Sequence, residues 1–319
     1  MQWLDGFNEI VAKYDVFILD QYGVLHNGTE PFDTAIRCFN RLVGDKAVVI
    51  LSNTSRRAVS VVPKLARFGF DSQKLIGCVT GGEEAWRFIQ SNKHLQKCSL
   101  ITHRFSDETY DKRQDSESIF YGFPSTRQLE IVPISEADFL LVEGSGTIMV
   151  SPDVSKKIEI DFTDTGNLYC NEVLSYLKQG KEANLMLLCT NPDLVSFGAE
   201  GKVNYMGGQI AKLYEEMGGK VLYFGKPEKA SFESCVQLAK KSLSNTTSKP
   251  LRIVHVGDSL YHDIMGAQKS GIDSVFITSG IHRKELAQHL NNSSNMSQLE
   301  WLCRKYGVTP TYILNQFSW

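Results

Sequence analysis

A doubly wound α/β fold carrying an inserted second domain is what this sequence predicts, on three observations. Short β-branched runs alternate with amphipathic stretches, which is the rhythm of a parallel sheet flanked by helices. Apolar runs end in polar residues, at Asp20, Ser52 and Asp258, as strands do where open α/β sheets place their sites. In the middle of the chain the rhythm breaks, and Ser106 to Ser118 is dense in charge. The length of 319 residues matches about two domains.

Taken in order, the candidate strands are Val16 to Leu19, Ala47 to Leu51, Leu185 to Cys189, Lys220 to Phe224, Ile253 to Val256 and Ser274 to Ile277. Between them Asp33 to Leu42, Ala58 to Phe68, Gln209 to Met217, Lys229 to Lys240 and Ile264 to Ser270 have helical spacing. Gly69, Gly218 and Gly271 stand where such helices stop. Ser242 to Lys249 and Asn291 to Ser297 are polar and read as surface connections. The segments around Phe139 to Val142 and Ile158 to Phe162 do not continue the βα rhythm. An α+β domain spanning residues 82–206, inserted into a Rossmann-like core of residues 1–81 and 207–319, is the simplest account. Gly81-Gly82 and Gly207-Gly208 offer flexible crossings.

Composition excludes several classes. The chain has 34 Lys+Arg against 36 Asp+Glu, a net charge of −2, and no block of like charges, which argues against nucleic-acid or membrane-surface binding by bulk electrostatics. Hydrophobic content of 42% with 22% charged residues is that of a globular chain. No apolar stretch reaches the ~18 residues of a membrane span. Met1 to Tyr14 mixes Asp5, Glu9 and Lys13 with apolar residues, unlike a secretory or transit signal, so the expected compartment is the cytosol. Seven scattered cysteines form no CxxC pair and read as reduced. The N-x-S/T triplets at Asn27, Asn53 and Asn245 are read as coincidence.

The chemistry sits at the ends of three strands. After Val16 to Leu19 come Asp20-Gln21-Tyr22-Gly23, an acid followed by a residue that permits a sharp turn. After Val48 to Leu51 come Ser52-Asn53-Thr54-Ser55-Arg56, hydroxyl and amide groups ahead of a helix start that can hold an anion. After Ile253 to Val256 come Gly257-Asp258-Ser259, then Asp263, and upstream Lys226 is fixed by Pro227 just before a helix. Together they suit phosphoryl transfer through a covalent intermediate. Asp20 would attack phosphorus, Asp20 and Asp258 would hold a hard Mg²⁺ through oxygen, and Lys226 with Ser52 would neutralise the transferring group.

In this order and combination the residues resemble the haloacid dehalogenase superfamily of aspartate-nucleophile hydrolases over nearly the whole chain. From Asn53 to Lys226 is 173 residues and from Lys226 to Asp258 only 32, a layout similar to class IIA, whose large cap lies in the first gap and which includes 4-nitrophenylphosphatase-like enzymes. Asp20 to Gly28, Cys189 to Asp193 and Gly207 to Pro227 look closest to a class IIA subfamily with DxWGVLHDG in its first motif. The resemblance implies a phosphatase acting on a small phosphorylated metabolite. It implies Asp20 as nucleophile, phosphate binding by Ser52, Asn53 and Lys226, and Mg²⁺ coordination by Asp20, Asp258, Asp263 and the main-chain carbonyl of Tyr22. Such relatives often dimerise, so a homodimer is plausible.

The pattern breaks at Tyr22. Phosphatases of this superfamily carry there a second Asp that protonates the leaving oxygen, and loss of a positioned acid costs ~10²–10⁴ in rate. With a reference pKa of ~10, Tyr22 donates far less readily, so aryl or acyl phosphates should suffer less than alkyl ones. Dehalogenases carry the same DxYG sequence, which leaves carbon–halogen hydrolysis as an alternative, and a slow phosphate-binding or scaffold protein as another. His26, in the following loop, is either a substitute acid/base or a lining residue. His255 reads as a core histidine and His262 as a cap or linker residue. Asn191 and Asp193, in Thr190-Asn191-Pro192-Asp193, are candidate substrate contacts or members of an Asx turn. Thr54 and Arg56 are counted with the anion loop, though Arg56 and Arg57 fit solvated or ion-paired roles equally well. Gly144-Ser145-Gly146 reads as a simple turn, and Asp107 to Glu117 as exposed cap surface. Phe317 and Trp319 suggest a tail docked on an apolar groove or a subunit contact.

Overall fold

The computed structural model describes residues 1–104, 112, 114–151, 153, 156–160, 171–197, 203–244, 249–288 and 295–319. Expectations for Phe162, Cys170, Asn245 and most of the charged stretch from Asp107 to Glu117 lie outside these residues, as do parts of the two polar connections. Two compact units emerge. The first comprises Met1–Ser52, Val61–Val79 and Lys226–Trp319, and the second Asn53–Ser60 and Thr80–Gly225.

In the first unit a seven-stranded sheet runs in the order Gln2–Trp3, Tyr312–Leu314, Asp273–Ile277, Ile253–Gly257, Val16–Leu19, Ala47–Ser52, Gly77–Thr80. The central strands Asp273–Ile277, Ile253–Gly257, Val16–Leu19 and Ala47–Ser52 pair in parallel. Because side chains alternate between faces, Phe17 and Leu19 enter one core with Phe39, Leu42 and Leu65, while Val16 and Ile18 enter another with Phe232 and Ala239. Both faces are covered, which explains why these strands read as unbroken apolar runs. Each fully buried Leu, Ile, Val or Phe contributes roughly 1.5–3 kcal/mol.

The two aromatic residues of the tail pack against the first unit. Phe317 is buried, with its ring 4.7 Å from that of Phe7 in edge-to-face contact, and Arg41 lies 4.1 Å over the ring of Trp319.

The second unit has its own mixed sheet. Lys220–Tyr223, Met186–Cys189, Phe139–Val142 and Lys97–Thr102 are parallel, and Thr147–Met149 with Ile158–Glu159 adds an antiparallel edge. One face packs on helices Asn171–Glu182 and Gly207–Glu216, the other on helix Gly81–Ser91. The stretch Phe139–Val142, expected to stand outside the βα rhythm, is thus an inner parallel strand. Residues 207–225, expected in the core domain, belong to this unit, because Lys220–Tyr223 pairs with Met186–Cys189. Among the described residues no helix is long and apolar enough to cross a membrane.

Candidate active site

Parallel pairing of the central strands of the first unit brings their carboxyl ends side by side, so residues far apart in sequence meet there. Asp20 leaves the end of Val16–Leu19, Ser52 ends Ala47–Ser52, and Asp258 follows Ile253–Gly257; all three are buried. Gly23 (φ +80°) lets the chain reverse after Asp20, its N–H donating to the carbonyl of His26 at 2.9 Å.

Lys226 organises the site. Its Nζ lies 2.6 Å from Asp20 Oδ1 and 2.7 Å from Asp263 Oδ1, with all three side chains buried. The carboxylates of Asp20, Asp258 and Asp263 offer oxygens within 4.8 Å of one another. Asp258 Oδ2 accepts from the N–H of Ile281 at 2.8 Å. Asp263 is reached through a π-helical turn at Leu260–Ile264, where the Ser259 side chain accepts from His262 N–H. The Ser259 N–H in turn donates to Asp263 Oδ2 at 2.9 Å.

Burial dominates the electrostatics. It pushes the Asp20 carboxyl up to about 7 against the pull of Lys226. Asp258 rises well above the usual carboxylate range, through burial and then repulsion by Asp20 and Asp263. Burial also opposes the charge of Asp263, but Lys226 and His255 outweigh it and hold that carboxyl low. For Lys226 burial is likewise outweighed, by Asp20 and Asp263, so the ammonium is held charged. Among the described residues of this cluster, three buried carboxylates face one ammonium. Such a donor set, all oxygen and short of positive charge, fits a hard divalent cation.

The other expected residues divide. Tyr22 is about one-third exposed, and its hydroxyl pKa is raised by burial and by Asp258. His26, considered as an acid/base, is buried in the turn after Gly23. Its Nδ1 accepts from Gly28 N–H at 3.0 Å, and burial, helped by Lys64, drives its pKa down to about 3. The ring is therefore neutral near pH 7 and shapes the turn. His262, expected in the cap or a linker, lies in the first unit with Nδ1 3.0 Å from the Lys226 carbonyl. His255, read as core, is wholly buried yet spans two polar partners, Ile18 O at 3.1 Å and Asp263 Oδ1 at 2.8 Å.

Asn53, Thr54, Arg56, Asn191 and Asp193 all belong to the second unit. There Asn53 Nδ2 donates to Asp193 Oδ1 at 2.8 Å, and Asn191 Oδ1 accepts from Asp193 N–H at 3.0 Å, so Asn191 forms the Asx turn and Asp193 holds the loop of Asn53. The carbonyl of Thr54 accepts from Gly82 N–H at 3.1 Å. Arg56 Nη1 pairs with Glu117 at 2.8 Å and Asp115 at 3.4 Å; the geometry gives it a loop-anchoring role in place of the expected anion contact. Ser145 donates to the Tyr205 carbonyl, 60 residues on.

Sequence reasoning missed Gly280 and the Ile281 N–H, which flank Asp258, and the polar role of His255. A polar residue inside an apolar strand was the available signal for His255.

With this geometry in hand, comparison with known proteins gives a consistent result. Residues 17–112 match the family described as haloacid dehalogenase-like hydrolase, and residues 223–302 a second family described as HAD-hydrolase-like. The chain is 21% identical over 278 residues to the 5'-nucleotidase YutF of Bacillus subtilis (strain 168), covering 86% of this chain and 91% of that protein. Among solved structures it resembles a haloacid dehalogenase-like hydrolase from Brucella suis 1330, with TM-score 0.72, 20% identity, and 98% and 99% of the two chains covered. It also resembles a possible sugar phosphatase from Cytophaga hutchinsonii, with TM-score 0.68, 16% identity, and 100% and 99% coverage.

Proposed function

We propose that this chain, which belongs to the haloacid dehalogenase-like hydrolases, is a Mg²⁺-dependent phosphatase that hydrolyses a small phosphomonoester through a phospho-aspartate on Asp20. The observation that carries the reading is the Asp20 carboxylate at a buried strand end, 2.6 Å from the Lys226 ammonium and beside two further carboxylates. Asp20 and Asp258, with the main-chain carbonyl of Tyr22, would hold Mg²⁺. When bound, the ion would neutralise carboxylate and phosphoryl charge and keep Asp20 ionised.

In the first step a carboxylate oxygen of Asp20 forms a bond to phosphorus as the bond from phosphorus to the leaving oxygen breaks. Lys226 and Ser52 balance charge on the transferring group. In the second step water attacks phosphorus, the bond from phosphorus to the Asp20 oxygen breaks, and phosphate and the free carboxylate return. Neither Tyr22, whose hydroxyl holds its proton more tightly than usual, nor the neutral His26 supplies a ready proton to the leaving oxygen. Substrates whose leaving group departs as a stable anion are therefore favoured. The second unit, as a cap over residues 80–225, is assigned the selection of the leaving group. The 5'-nucleotidase relative, and the structural neighbour described as a possible sugar phosphatase, support phosphomonoesters as the substrate class. Metal-free dehalogenation would leave the three buried carboxylates short of positive charge, which weighs against it.

The test compares an aryl with an alkyl phosphate in the presence of Mg²⁺. Wild type should cleave the aryl ester, Asp20→Asn should lose turnover, and Tyr22→Asp should raise the alkyl-to-aryl rate ratio by ~10²-fold. Halide release from a 2-haloacid without Mg²⁺, with no phosphate released from either ester, would overturn the proposal.

A further inference from the structure

We infer that His255 is a positioning residue, which orients Asp263 so that its carboxylate fixes Lys226 against Asp20. The inference rests on the phosphatase reading only for its rate measurements. His255 sits in the strand Ile253–Gly257, on a side chain row where a strand buried on both faces calls for an apolar residue. An imidazole there is costly to bury unless both nitrogens are engaged. Each faces an acceptor oxygen, Nδ1 at 3.1 Å from Ile18 O on the neighbouring strand and Nε2 at 2.8 Å from Asp263 Oδ1, and a ring with a single N–H donates it to the carboxylate, the stronger acceptor. The Phe232 ring backs the imidazole edge-to-face at 5.1 Å, which limits its rotation.

The carboxylate of Asp263 is thus held from several directions. Oδ1 meets both Lys226 Nζ at 2.7 Å and His255 Nε2 at 2.8 Å, while Oδ2 takes the Ser259 N–H at 2.9 Å. A second, independent feature serves the same end. A Cβ on Gly257 would fall 2.1 Å from Asp263 Cγ, so glycine at that strand position is what allows the carboxylate to fold back from the turn Leu260–Ile264 onto the end of the strand Ile253–Gly257. With its oxygens directed at these groups, Asp263 acts as the anchor of the lysine. The chain of contacts runs from the Ile18 carbonyl through His255 and Asp263 to Lys226, and ends on Asp20, two residues beyond Ile18. The strand that presents the nucleophile also fixes the group that orients it.

Two variants of the full chain separate positioning from packing. His255→Leu fills the site with an apolar side chain and removes both polar contacts, whereas His255→Gln keeps an amide N–H where Nε2 stands. We expect both to fold, with kcat on an aryl phosphate falling ~10²-fold in His255→Leu, KM changing little, and kcat recovering to within about threefold of wild type in His255→Gln. The second readout needs neither metal nor turnover. In ¹⁵N-lysine spectra the slowly exchanging ammonium signal of Lys226, identified by its absence in Lys226→Ala, should vanish in His255→Leu and persist in His255→Gln. If wild type proves inert on every phosphomonoester, the functional reading fails while this signal still tests the inference. Equal kcat and an unchanged signal in His255→Leu overturn it, as does equal damage in both variants. A His255→Leu chain that loses its fold overturns it too, since the ring would then be supporting the core and not one carboxylate.

Discussion

Gly23→Ala isolates the closest approach in the site. A Cβ on Gly23 would stand 1.9 Å from Asp258 Oδ2 and 2.5 Å from its Cγ, where ordinary contact begins at about 3.5 Å. The carboxylate cannot retreat easily. Its Oδ2 is held by the Ile281 N–H at 2.8 Å, and the space on the other side is bounded by Gly280, where a Cβ would fall 2.1 Å from the same oxygen. Relief therefore demands a displacement of Asp258 or of the Asp20 turn by roughly 1 Å or more, and a misplacement of about that size costs ~10²-fold in rate. The backbone adds a separate penalty, because at φ +80° an alanine costs roughly 1–2 kcal/mol relative to glycine. Gly69→Ala separates the two effects. Gly69 has φ +89°, but its nearest neighbour is the Ile36 Cδ1 at 3.8 Å, so alanine there meets the backbone penalty without a clash. Thermal unfolding and kcat/KM on an aryl phosphate should show Gly69→Ala less stable by about 1–2 kcal/mol with unchanged activity, and Gly23→Ala impaired in both. If Gly23→Ala stays within about threefold of Gly69→Ala in kcat/KM, the geometry assigned to Asp258 is wrong.

Two further outcomes follow from contacts outside the site. Hydrogen bonds from Arg252 hold the Asp15 carboxyl down to about 2, below its ordinary 3.8, so the stability this contributes is present above pH ~4 and is lost as pH falls through about 2. Since the pair is largely exposed, Asp15→Asn should lower the urea midpoint at pH 7 by less than about 0.5 M, with the difference closing near pH 2; a difference that persists there refutes the assignment. Phe317→Ala, which empties the contact with Phe7, should cost ~3–5 kcal/mol in thermal unfolding without altering the oligomeric state. A change in oligomeric state at unchanged stability would assign the tail to a subunit contact instead.

What was legible in the sequence followed from rules that act locally. A buried parallel strand must be apolar throughout and must turn where it meets solvent, so the runs ending at Asp20, Ser52 and Asp258 marked both the sheet and its carboxyl edge. The partner of a buried polar group is another matter. His255 and the Ile18 carbonyl are 237 residues apart, and nothing within Ile253 to Val256 distinguishes a histidine that bridges two groups from one that merely fills space. The same limit misplaced Lys220 to Phe224, because hydrophobic period identifies a strand but not the sheet it joins. The glycine doublets show the limit most sharply. Gly81-Gly82 and Gly207-Gly208 read as flexible crossings, yet three of these four glycines supply room where other backbone passes close. A Cβ on Gly82 would meet Ser55 O at 2.0 Å, one on Gly81 would meet Thr190 O at 2.1 Å, and one on Gly208 would meet Pro192 O at 2.2 Å. Absence of a side chain serves freedom in one setting and close packing in another. Here Thr80 Oγ1 donating to Arg56 O at 2.7 Å, Gly82 N–H donating to Thr54 O, and Arg57 pairing with Glu83 at 2.6 Å all tie Asn53–Ser60 to the segment that begins at Thr80. The loop that follows Ser52 therefore belongs to the second unit through contacts that only glycine at position 82 permits.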